Sequence, residues 1–248
     1  MKYNYITLIL ATFILTACVE KNTSVNYDEV NFEDSIVETE NSTKIGDVLD
    51  EKDESLLVLT TIYGDLDKDG ENEKVEVIET GEVGEYGNKR MLNIYKKNEN
   101  GSWKKWQEST TVILSSEEGG MMGDPFDDGI EIEDGTLLVY HSGGSSWKWS
   151  YTHRFRFQNN SFELIGATTS YGKFCEEWED VDYNLSTGKI NYTFTKENCD
   201  GEGEVQSSKK IKEKFIYKME ELPKLNEFVP GSKNILLTND NLEKEISI

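Results

Sequence analysis

Two dipeptides, Asp134-Gly135 and Asn159-Asn160, each sit between short runs in which apolar and polar residues alternate. Turn residues of this type, flanked by a period of two, specify antiparallel hairpins. Folding about the first turn sets Ile132 opposite Leu137 and Ile130 opposite Val139, so all four share one face. Folding about the second sets Phe157 opposite Phe162 and Phe155 opposite Leu164, again on one face. Trp149, Tyr151, His153, Phe155 and Phe157 then line that side, alternating with Lys148, Ser150, Thr152, Arg154 and Arg156. A third hairpin is expected about a three-residue loop, Ser186-Thr187-Gly188, with glycine where a left-handed conformation is required.

Composition agrees with a strand-built chain. Beyond residue 17 the sole alanine is Ala167, while aromatic and β-branched residues are plentiful. Further strands are expected at 74–79, 91–97, 103–108, 110–115, 176–184, 190–196 and 209–218. No repeat of about 20–50 residues is evident, which argues against equal propeller blades. The expectation is all-β: a single antiparallel β-sandwich or barrel-like domain of hairpins over residues 55–222. Residues 223–248 are expected as a C-terminal tail, extended and packed on the domain or loosely ordered.

Residues 1–17 have the layout of a secretory signal: Lys2, an apolar run from Ile6 to Ala17, then a small residue before Cys18. That run is too short to cross a bilayer as a helix. Leu15-Thr16-Ala17-Cys18 resembles the lipobox of bacterial lipoproteins, which implies cleavage before Cys18 and lipidation of its thiol. Residues 18–54, acidic and without period, are expected to be a flexible tether. The resemblance implies a lipid-anchored envelope protein. It would sit on the outer membrane, facing periplasm or surface, in a double-membraned cell, and on the outer face of the cell membrane otherwise.

Removing residues 1–17 leaves 25 basic and 48 acidic residues, a net charge of −23. Such a surface repels nucleic acid, favours cations and cationic partners, and keeps copies apart as monomers. Two cysteines remain, Cys175 and Cys199, and an even pair in an exported chain is expected to form a disulfide. Pairing Leu185 with Lys189 across the third hairpin sets these cysteines directly opposite each other.

Asp65-Leu66-Asp67-Lys68-Asp69-Gly70-Glu71-Asn72-Glu73 places carboxylates at positions 1, 3, 5 and 9 of a calcium-loop pattern, with glycine at 6 and Glu76 at 12. Calcium takes six to eight oxygen ligands, and alternating acids on a tight loop can converge on it, the Glu71 carbonyl included. Val75-Glu76-Val77-Ile78 reads as a strand and no amphipathic helix precedes Asp65, so an EF-hand is excluded. Preceded by Gly64, the loop resembles the calcium loops of FG-GAP and related β-proteins. That likeness implies Glu73 rather than Glu76 as ligand, beside Asp65, Asp67, Asp69 and Glu71, and a structural Ca2+.

Two glycine-rich segments carry large apolar side chains: Gly119-Gly120-Met121-Met122-Gly123-Asp124-Pro125-Phe126 and His141-Ser142-Gly143-Gly144-Ser145-Ser146-Trp147-Lys148-Trp149. Together with the lipobox and the acidic loop they resemble a family of calcium-loop lipoproteins of bacterial envelopes, over about residues 56–170. Some of these are immunity proteins against secreted peptidoglycan hydrolases. They are similar in fold to periplasmic lysozyme inhibitors, which insert a loop into the enzyme's cleft. In those inhibitors tyrosine follows Ser-Gly closely, whereas here Ser142-Gly143 is followed by Trp147. The resemblance implies a partner-binding set of Ser142, Gly143, Gly144, Trp147, Lys148 and Trp149, with Trp147 as anchor and Lys148 meeting the hydrolase's carboxylates. The alternative is a non-catalytic surface lipoprotein that binds glycan or scaffolds an envelope assembly.

Catalysis is not expected. His153 falls on the aromatic face as a core residue, and His141 beside Ser142 cannot by adjacency alone form a nucleophile–base pair. Acidic pairs such as Asp127/Asp128 arise readily in so acidic a chain.

Overall fold

The computed structural model describes residues 56–126, 129–240 and 242–248. The expected signal peptide, Cys18 and the tether lie outside the described residues, as do Asp127 and Asp128. Described residues form antiparallel strands and a single 3-10 turn, Gly120–Met122; no helix is long and apolar enough to cross a membrane.

One sheet is a meander of four strands: β1 (Leu57–Gly64), β2 (Glu73–Gly84), β3 (Gly87–Lys97) and β4 (Trp103–Ser109). A second meander has seven: β5 (Ile130–Glu133), β6 (Thr136–Gly144), β7 (Lys148–Gln158), β8 (Ser161–Lys173), β9 (Glu177–Asn184), β10 (Lys189–Cys199) and β11 (Val205–Ile216). Both sheets are open, so the expected sandwich is formed and the barrel-like closure is not. The alternating faces of the two sheets bury Val75, Val77, Leu92 and Ile94 against Leu137, Val139, Phe155 and Leu164. Trp106 of β4 bridges the sheets, its ring 4.4 Å from that of Phe157 and 5.3 Å from that of Phe162.

The two hairpins expected about Asp134-Gly135 and Asn159-Asn160 form in the expected register, with Ile132 opposite Leu137 and Phe157 opposite Phe162. All four turn residues have positive φ, between 51° and 72°, which is the backbone these two-residue turns require.

Two expectations are corrected. Residues 110–115 are not a strand, although Val112, Ile113 and Leu114 are buried. Their amides are served by side chains instead of a ladder: Ser109 Oγ accepts from Val112, and His141 Nε2 accepts from Leu114. The third hairpin pairs Asn184 with Lys189, one position away from the expected Leu185–Lys189 register. Leu185 leaves the ladder to bury its side chain, and its amide donates to the Ile165 carbonyl at 3.0 Å.

The C-terminal tail is packed on the domain, and within it β12 (Asn234–Thr238) and β13 (Glu243–Ser247) form a hairpin. Leu225, Phe228, Ile235, Leu237, Ile246 and Ile248 join the core. The segment docks on the seven-stranded sheet through Leu164 N to Pro223 O and Leu225 N to Phe162 O, at 2.8 and 2.9 Å. Phe228 meets His153 and Phe155 edge-on.

Among the described residues the outer side of β11 pairs with no strand. It carries Lys209, Lys210, Lys212 and Lys214, none of which forms an ion pair among the described residues.

Candidate functional site

The acidic loop joins β1 to β2, with Gly64 paired to Glu73 across its base. Two residues with positive φ, Lys68 and Gly70, curl it inward. Leu66 is buried beneath it, and the loop rests on the Gly135 turn, where a Cβ would come within 3.3 Å of the Asp65 carbonyl.

One carboxylate oxygen from each of Asp65, Asp67 and Glu73 lies within 4.8 Å of the others. Each residue spends its second oxygen on shape or charge. Asp65 Oδ2 accepts the Gly70 amide at 3.0 Å, Glu73 Oε2 accepts the Leu66 amide at 2.7 Å, and Asp67 Oδ2 accepts Lys96. Asp65 Oδ1 and Asp67 Oδ1 are buried with no hydrogen-bond donor. Buried anionic oxygens without donors are costly unless a cation faces them. The donor set, hard oxygens only, fits calcium.

Lys96 of β3 is the protein's own cation here. Its ammonium also reaches Asp69 at 2.9 Å and Glu73 at 3.6 Å, and it lies 4.6 Å over the Trp106 ring. Burial pulls the Lys96 ammonium down, but hydrogen bonds to Asp67 and Asp69 outweigh it and raise it well above the ordinary lysine value. Glu73, 2% exposed, is pushed up by burial against the Leu66 amide's pull. Asp69 is lowered by Lys96 and by the Glu71 amide. Of the five expected ligands, then, Asp65, Asp67 and Glu73 converge, Asp69 joins them through Lys96, and the Glu71 side chain is exposed. Glu76 points elsewhere, to Lys74 at 2.8 Å.

The Ser142–Trp149 segment lies at the other end of β6. Ser142, Gly143 and Gly144 are in strand and pair with Ser150, Trp149 and Lys148, leaving a tip of Ser145, Ser146 and Trp147. Trp149 lies over Gly143, where a Cβ would come within 2.5 Å of the indole. Trp147 stacks on Tyr171 at 5.3 Å and 14°, and Lys148 Nζ touches Met122 Sδ at 3.5 Å. Around them Met121 is 89% exposed, Phe174 57% and Tyr171 50%.

Two devices hold this end. Residues 119–126 and Gly129 lie along the edge of β6, with Tyr140, Ser142 and Gly144 donating to Gly129, Pro125 and Gly119 at 2.8–3.1 Å. Asp124 in that segment forms a two-pronged ion pair with buried Arg90 of β3, Nη1 to Oδ1 at 2.6 Å, with Glu79 3.6 Å from Arg90. Burial raises the Asp124 carboxyl, but the Arg90 hydrogen bonds overcome it and hold it below the usual range.

The second device is the expected disulfide between Cys175 and Cys199, with Cα atoms 5.3 Å apart. It forms despite the shifted register because Cys175 lies outside the ladder, in the turn after β8, at φ 65°.

Lys96 and Arg90 carried no sequence signal, because each acts on residues about thirty positions away. The sequence and the fold match no known protein family, no curated protein and no solved structure.

Proposed function

We propose that this chain is a lipid-anchored, calcium-stabilised binding protein of the bacterial envelope that inhibits a cationic peptidoglycan hydrolase of lysozyme type and catalyses nothing itself. The observation that carries this reading is the apolar end formed by Met121, Met122, Trp147, Tyr171 and Phe174, with Lys148 among them, on a chain of net charge −22. Exposed aromatics on a rigid hairpin serve as binding anchors, and methionines adapt to an irregular partner surface. The acidic body steers a cationic enzyme inward and repels nucleic acid and other copies of itself, so the protein acts as a monomer. Trp147 is the anchor, Lys148 meets the hydrolase's carboxylates, and Ser142, Gly143, Gly144 and Trp149 form the platform beneath. The non-catalytic reading is supported by His141 and His153, both at most 1% exposed and so out of reach of a substrate.

Calcium, held by Asp65, Asp67 and Glu73 with Asp69 and the Glu71 carbonyl at hand, has a bracing role. The nine residues of β6 separate the acidic loop from the apolar end by about 30 Å, too far for the ion to touch a partner there. Lipidation at Cys18 holds the domain outside the cytoplasm, on the outer membrane or on the outer face of a single membrane.

The test is inhibition of a cationic lysozyme acting on cell-wall fragments, comparing the purified protein with Trp147→Ala and Met121→Glu. Dose-dependent inhibition, weakened about tenfold or more by either substitution, is expected. No inhibition, or equal inhibition by folded variants, overturns the assignment.

A further inference from the structure

Two hollows open on the core-facing side of the seven-stranded sheet, and both are lined by Trp149 and Tyr151. One, about 440 Å3, is walled by Tyr86, Leu114, Glu117 and Glu118. The other, about 250 Å3, is walled by Tyr171, Glu179, Lys244 and Ile246, beneath the C-terminal hairpin. The Trp149 and Tyr151 rings that join them stack at 5.0 Å and 29°. The two hollows thus share an aromatic wall.

We infer that these two hollows and the aromatic wall they share form a binding trough for a glycan of pyranose units, which uses Trp149 and Tyr171 of the hydrolase-binding end proposed above. A pyranose ring has a flat C–H face and a rim of hydroxyls. The ring faces of Trp149 and Tyr171 on which Tyr151 and Trp147 do not stack are flat, apolar and partly negative, and so match the C–H face. Glu117 in one arm accepts hydroxyl hydrogen bonds, and the Glu179–Lys244 pair in the other both accepts and donates.

Other ligand classes fit less well. An anion meets carboxylates in both arms. A metal ion finds Glu179 already paired with Lys244 and Glu118 accepting the Ser115 amide. One further carboxylate then remains in each arm, Glu117 and Glu245, too few for a cation that takes six to eight oxygens. A drug-sized apolar ligand wants a single enclosed pocket of about 300–1,000 Å3, whereas each arm here is open and half polar. A linear chain of two or three rings fills both arms in sequence. The platform is set in advance, because the Trp149 indole packs into the space that a side chain at Gly143 would fill. Fixing the ring before binding reduces the ordering cost of association.

The test is titration of the purified protein with the tetrasaccharides of N-acetylglucosamine, of β-linked glucose and of α-linked glucose, read by tryptophan fluorescence and calorimetry. At least one is expected to bind with a Kd of about 1 mM or tighter. Trp149→Ala and, separately, Tyr171→Ala are expected to weaken it about tenfold, with unchanged melting showing that each variant is folded. Trp103→Phe, remote from the trough beside Tyr63, is expected to leave binding intact. The inference is overturned if none of the three sugars binds, if binding survives Trp149→Ala in a folded variant, or if only a tetralysine control binds.

Discussion

Lys96 and Glu73 face each other at 3.6 Å across the mouth of the acidic loop, with Glu73 almost fully buried and Lys96 reaching in from the neighbouring strand. One ammonium cannot neutralise Asp65, Asp67, Asp69 and Glu73 together. The loop therefore has a partial counter-ion of its own and the oxygens to take a stronger one.

Calcium is expected to raise the melting temperature. At a hundredfold excess over Kd a ligand selective for the native state adds about 2.7 kcal/mol, or roughly 5–10 °C for a domain of this size. Replacing the internal cation with Lys96→Met is expected to lower melting in chelator and to enlarge the recovery on adding calcium. Identical melting curves for the native protein in calcium and in chelator would remove the metal from the account.

The Arg90–Asp124 pair fastens residues 119–126 to the four-stranded sheet. Asp124→Ala leaves a buried guanidinium with Glu79, at 3.6 Å, as its one carboxylate among the described residues and a 3.5 Å hydrogen bond to the Leu114 carbonyl, and is expected to cost about 3 kcal/mol. Arg90→Met combined with Asp124→Leu is expected to restore much of the loss. The denaturant midpoint measures both, and an unchanged midpoint in Asp124→Ala would show that the pair holds nothing.

His141 and His153 are both pushed down to about 3 by burial, the largest cause for each. An unfolded histidine titrates near 6.5, so on acidification the unfolded chain takes up these protons first. Stability is therefore complete above about pH 6.5 and falls as pH drops toward 3. His153→Phe should flatten the decline between about pH 6.5 and 5, above most carboxylate titration. Parallel pH profiles for the two proteins would contradict this.

Reduction of Cys175–Cys199, which are separated by 24 positions, is expected to cost about 3.5 kcal/mol through freedom returned to the unfolded chain. Because the bridge ties the turn carrying Phe174 to the end of β10, hydrolase binding should weaken as well. Cys175→Ser with Cys199→Ser, assayed for both unfolding and inhibition, separates the two effects.

Hairpins whose turn chemistry and side-chain parity agree, as about Asp134-Gly135 and Asn159-Asn160, were legible because both signals are local. The run Thr111-Val112-Ile113-Leu114 was not, since burial without alternation is compatible with any backbone that finds donors and acceptors. Here those come from Ser109 and from His141, which is 27 positions beyond Leu114. The slip at Leu185 followed from one side chain preferring the core to the ladder, which no turn rule contains. The C-terminal hairpin did leave a trace: Ile235 and Leu237 alternate with exposed Leu236, and Ile246 and Ile248 answer them beyond Asn239-Asp240-Asn241. For the acidic loop, spacing exposed the anions, but Lys96 required the sheet.

The unpaired edge of β11 gives this protein a polarity of behaviour that its net charge conceals. Twelve residues of strand stand ready to template the same strand from another molecule. The four lysines make any such addition a meeting of like charges, although the body around them is acidic. Acylating those amines, or screening them with concentrated salt, would remove this like-charge barrier to strand addition without breaking an ion pair among the described residues.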